Sequence, residues 1–98
     1  MSLSMGVTMA RKIAVVVRDR QGEALRMAIG IILMDDEVDI YVLDRVVEPT
    51  EQNLLSLETI GIMEMKAWTN VRANDTMEYL SMEEIAGRLL LYDHVLHY

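Results

Sequence analysis

The run Ile13-Ala14-Val15-Val16-Val17 limits the possible folds of this chain more than any other stretch. It is short, unbroken and rich in β-branched side chains. A strand that is apolar on both sides must be covered on both sides, which is the condition of an inner strand of a parallel sheet. The rest of the chain therefore has to supply covering layers above and below.

The segments that follow alternate as such a sheet requires. Residues 18–22 form a polar loop, and residues 23–34 are good helix formers apart from Gly30. Leu25, Ala28, Ile29 and Ile32 make one helical stripe. Met27, Ile31 and Met34 make a second on a neighbouring face. One stripe suffices to cover a sheet, so the second is expected to meet another subunit, with Gly30 permitting close approach. Asp35-Asp36-Glu37 lacks the spacing of a calcium loop and reads as a solvated turn. Residues 39–43 form a second strand. Pro49 opens a second helix that Thr50 caps, with Leu54, Leu55, Leu57 and Ile60 as its apolar side and Gly61 at a left-handed end. Residues 62–68 alternate as a half-exposed third strand, and residues 77–80 form a short fourth. Ser81-Met82-Glu83-Glu84 is a capping box. It starts a helix whose Ile85, Leu89 and Leu90 face the sheet. Asp93 ends that helix, and residues 94–98 are the last strand.

The order β-α-β-α-β-β-α-β predicts a three-layer α/β/α domain around a mostly parallel sheet of four or five strands. One joint is tight. Only eight residues lie between Trp68 and Met77, whereas a parallel crossover usually takes a dozen or more. The fourth strand either runs antiparallel or is reached by an irregular loop.

Three pieces carry a resemblance to the DsrE/DsrF/DsrH-like family, which includes the TusB, TusC and TusD sulfur-relay subunits. Lys12-Ile13-Ala14-Val15-Val16-Val17-Arg18 resembles its opening strand. Glu23-Ala24-Leu25-Arg26-Met27-Ala28 and Asp39-Ile40-Tyr41-Val42-Leu43-Asp44 resemble its first helix and second strand. Leu80-Ser81-Met82-Glu83-Glu84-Ile85 through Asp93-His94-Val95-Leu96 resembles its closing strand–helix–strand. The resemblance implies a flavodoxin-like domain that forms dimers, trimers or hexamers with itself or with related subunits. Active members pass persulfide sulfur on a cysteine in the loop after the middle strand. Here that loop begins Thr69-Asn70-Val71-Arg72, and the chain has no cysteine at all. It is similar to the family's cysteine-free subunits, so no catalytic residue is carried over and none is expected. The stretch after the third strand is also shorter than the family's loop and helix there.

The lack of cysteine further excludes disulfides, thiolate metal sites and thiol nucleophiles. A net charge of -7 with no basic patch argues against nucleic acid. No apolar run is long enough to span a bilayer, and residues 1–10 lack the pattern of a secretory signal. They read as a leader or tag remnant before one domain at 11–98, expected to be cytoplasmic. His94 and His97, three apart on a strand, point to opposite faces and cannot clasp one metal. No metal or cofactor is expected. At 52% apolar residues, the chain carries more than a domain this small needs to bury. The expected function is that of a non-catalytic subunit acting through association, in intracellular sulfur transfer if the resemblance extends that far. The alternative is a binder of small anions, or an enzyme, using the crevice beyond strands one and three. Arg18, Arg20, Gly22, Thr69, Asn70 and Arg72 would line it.

Overall fold

A computed structural model describes residues 11–32 and 37–98. Residues 1–10, read above as a leader, and the interface candidate Met34 lie outside the described residues. The elements are β1 (Lys12–Val17), α1 (Gln21–Ile32), β2 (Glu37–Val42), α2 (Glu51–Ile62), β3 (Lys66–Thr69), β4 (Glu78–Tyr79), α3 (Met82–Leu89) and β5 (His94–His97). They build a three-layer α/β/α fold of flavodoxin-like layering. All five strands are parallel, in the order β4-β3-β2-β1-β5.

Strand alternation divides the core. Ile13, Val15 and Val17 of β1 and Val38, Ile40 and Val42 of β2 point to one face, where Ala24, Leu25 and Ala28 of α1 and Ile60 of α2 cover them. Ala14, Val16, Tyr41, Leu43 and Trp68 point to the other face, under Ile85 of α3. The two-sided burial expected of the first strand holds: Ala14 through Val17 are fully buried. The chain steps from β1 through β4 in one direction and returns past β1 to β5 in the other. Crossovers of one hand place the helices of these opposite steps on opposite faces.

The tight joint is solved by a loop. β4 runs parallel to β3, with Trp68 registered on Glu78 and Thr69 on Tyr79. Buried Asn74 organises residues 70–77 between them. Its Nδ2 donates to the Arg45 carbonyl (3.0 Å) and to Thr69 Oγ1 (3.1 Å), and its Oδ1 accepts from the Val47 N–H (2.9 Å). The side chain thus ties the helix-free crossover to the loop after β2 and satisfies backbone groups there, while the crossover's own turns are closed by the Asn74 N–H to the Val71 carbonyl (3.0 Å) and the Met77 N–H to the Asn74 carbonyl (3.1 Å).

Both helix N-caps appear where expected. Thr50 accepts from the Asn53 N–H, and the Ser81–Glu84 capping box is complete. Four expectations need correction. Gly61 does not end α2: the helix runs through it to Ile62, and the left-handed residue is Glu64 (φ 56°). The third strand is accordingly shorter, starting at Lys66. Leu54 and Leu55 are exposed, and α2 buries Asn53, Ser56 and Ile60 instead. Its rotation is set at the N-terminus, where Asn53 Nδ2 donates to the Glu48 carbonyl at 3.0 Å and Asn53 Oδ1 lies against Gly22 of α1. Leu90 is 85% exposed, because α3 ends at Leu89 and Leu90 is only its C-cap.

Candidate functional site

β2 lies between β1 and β3, so the loops after the first and third strands are not neighbours. Asp44, at the end of β2, joins them. Its left-handed backbone (φ 70°) turns the carboxylate across both loops. Arg18 Nε donates to Oδ2 at 3.2 Å, and Asn70 Nδ2 donates to Oδ1 at 3.1 Å. The Asp44 N–H donates back to Asn70 Oδ1 at 2.7 Å. The Asn70 amide, then the Arg18 guanidinium, holds the Asp44 carboxyl below its ordinary pKa. Arg18 and Asn70 therefore do come together, through a residue that sequence reasoning gave no role at the site.

The other candidate residues have separate partners. Arg20 pairs with Glu23 at 3.5 Å and stands over the Tyr98 ring. Arg72 lies 3.9 Å from the Tyr79 ring centroid, at the far edge of the sheet. Gly22 packs beside Asn53. Thr69 is fully buried, and its Oγ1 accepts from the Val71 N–H (3.0 Å) as well as from Asn74. The order reverses between β1 and β5, where an open α/β sheet would offer its crevice. That position is bridged by backbone: the Tyr98 carbonyl accepts from the Arg18 N–H (2.8 Å) and the Asp19 N–H (3.2 Å).

This geometry bears on the loop where the resembling family carries its sulfur. Thr69 is a buried strut and Asn70 a clamp on Asp44. Neither presents a nucleophile. Among the described residues no group of acidic or histidine side chains is arranged to hold a metal. His94 and His97 are both exposed. Asp93 Oδ2 accepts the Lys12 N–H at 2.8 Å and pins β5 to β1.

A concavity of about 610 Å³ opens at the opposite end of the strands, beside the N-terminal starts of β1, β2 and β3. Tyr41 and Trp68 are registered across β2 and β3 and stack at 5.2 Å. Tyr92 meets Tyr41 edge-on, and their hydroxyls are 2.7 Å apart. The Tyr92 hydroxyl donates to the Asp39 carboxylate, so the Tyr41 hydroxyl is the donor to Tyr92. Burial, then the bond to Asp39, pushes the Tyr92 phenol far above its ordinary pKa. Arg88 covers the Trp68 ring at 4.9 Å. Sequence reasoning missed this cluster. Its members are scattered along the chain, and only strand register brings Tyr41 and Trp68 together.

The apolar stripe proposed for contact can be placed on α1. Gly22 marks the flank of α1 that faces α2. Helical steps of 100° put Met27 and Ile31 on the opposite flank, toward β5. Met27 is 45% exposed, Ile31 is half-buried, and Gly30 is exposed with open space around it. Leu96 and Tyr98 lie on the same face of the sheet.

No family model, no curated protein and no solved structure matches this chain. No helix among the described residues is long and apolar enough to cross a membrane.

Proposed function

We propose that the chain acts as a non-catalytic, DsrE-like subunit whose work is association, within a cytoplasmic sulfur-transfer assembly. The observation that carries this reading is the flank of α1. Met27, Gly30 and Ile31 leave apolar surface toward β5, where no second helix among the described residues covers the sheet. An uncovered apolar flank on a small domain marks a contact surface. The state of the Thr69–Asn70 loop supports the non-catalytic part, since both side chains hold the fold together.

Solution mass at micromolar concentration is the test of association, with an oligomer expected and a monomer overturning the reading. Incubation with a persulfide donor tests the other half. The expected result is no sulfur adduct on this chain by mass spectrometry, and a stable adduct would refute a non-catalytic role.

A further inference from the structure

Tyr98 shows which way β5 faces. Its N–H donates to the Val16 carbonyl (2.9 Å) and its carbonyl accepts from Arg18, so its backbone points inward to β1. In a parallel ladder alternate residues do this. Leu96 therefore also points inward, and the N–H and C=O groups of Val95 and His97 point to the open edge. β5 is the last strand on that side of the sheet among the described residues.

Sheet edges in proteins that stay apart are shortened, bulged, or guarded by Lys or Pro. β4, at the other edge, is two residues long. β5 has four, His94-Val95-Leu96-His97, with none of these guards. It also carries no carboxylate, in a chain of net charge -7. The nearest one, Asp93, is engaged by the Lys12 N–H. Two copies of an acidic chain repel least along such an edge.

We propose that a second copy of this chain pairs antiparallel with β5, joining two sheets into one of ten strands across a twofold axis. The inference rests on the association reading and names its partner and geometry. One register satisfies both the backbone and the faces. Val95 opposes His97 of the second copy, and these two exchange both N–H···O=C bonds, twice by symmetry. Leu96 then opposes its own mate, on the face that carries Met27 and Ile31. His94 opposes Tyr98. The α1 flank becomes the shoulder of the joint, so the apolar stripe and the open edge are buried together.

Sedimentation equilibrium on the full chain, from low micromolar to submillimolar concentration, tests this with three variants. His97→Pro removes an outward N–H while leaving the bonds to β1, a place where an edge strand tolerates proline. Val95→Lys adds a guard without touching the backbone. Met27→Lys charges the shoulder. The expected result is a wild-type dimer that His97→Pro and Val95→Lys each weaken by roughly 10- to 100-fold, as the loss of symmetry-doubled contacts implies. Amide exchange at Val95 and His97 should slow as wild-type concentration rises, a reading that stands even if a variant misfolds. A dimer that Met27→Lys disrupts, while both edge variants and the edge amides stay unaffected, overturns strand pairing and leaves the association reading standing. A wild-type monomer at every concentration overturns both.

Discussion

The two faces of the sheet solve the same covering problem with different means. One face has α1 and α2, twelve residues each, over an aliphatic floor of Ile and Val. The other has, among the described residues, only α3, eight residues, over Tyr41, Trp68 and Leu43. Large rings make up for helix length there. The two phenol ends are taken up, hydroxyl on hydroxyl and hydroxyl on carboxylate, and the Arg88 guanidinium lies over the face of the Trp68 ring. A short helix suffices when the floor beneath it is thick and its polar atoms are satisfied.

The sharpest way to break this comparison is to truncate one anchor on each face. Ile85→Ala removes the one fully buried side chain of α3 and should cost about 3–5 kcal/mol; Leu25→Ala, with Ala24 and Ala28 remaining beside it, should cost about 2–4 kcal/mol. Denaturant unfolding that put Leu25→Ala clearly above Ile85→Ala would show that α3 is not the thinner cover. Next comes Asn74→Ala, which strands the Val47 N–H beneath the helix-free crossover. About 1–3 kcal/mol is expected, and a change within error would mean the loop is held by something other than its amide.

Tyr92→Phe sharpens the ring-built face. It deprives Asp39 of a donor and Tyr41 of an acceptor, for about 1–2 kcal/mol. The pH dependence has a definite sign. The folded phenol pKa is raised, so its contribution is complete below the ordinary tyrosine pKa and is lost as pH climbs above it. The wild type should lose stability in alkaline melts more steeply than Tyr92→Phe; parallel curves would contradict this. At the C-terminal ends of the strands the sign reverses. The Asp44 pKa is lowered, so its stabilisation is present above the ordinary carboxylate range and fades as pH falls through the folded value. Asp44→Asn, which keeps a side chain tolerant of positive φ, should flatten that acid limb. The smallest effect is expected for Leu55→Ser on the outer side of α2, within about 0.5 kcal/mol. A larger loss would mean this side is covered in solution.

Much of the fold was legible because the local signals agreed with one another. The β-branched run gave β1, and Thr50 and Ser81 fixed two helix starts through hydrogen bonds that span only three residues. The rotation of α2 was not legible. Periodicity ranks Leu54 and Leu55 above Asn53 and Ser56 for burial, but Asn53 is held by the Glu48 carbonyl, and that bond turns the helix. Gly61 looked like a stop because glycine favours a left-handed end, yet Glu64 takes that conformation three residues later. At the candidate site, Arg18 and Asn70 were visible as loop residues, whereas Asp44 between them depended on which strand lay in the middle.

By itself the sequence determined that β1 is buried on both sides, that helices must alternate with strands, and that no cysteine chemistry is available. These follow from composition and from hydrogen bonds short in sequence. Only the tertiary structure decided the order β4-β3-β2-β1-β5, the parallel sense of β4 and the meeting of Tyr41, Trp68 and Tyr92. Those depend on register between strands far apart along the chain. Several orders of the same segments bury the same residues, and contacts such as Asn74 with Val47 or Asp44 with Asn70 form in only one of them.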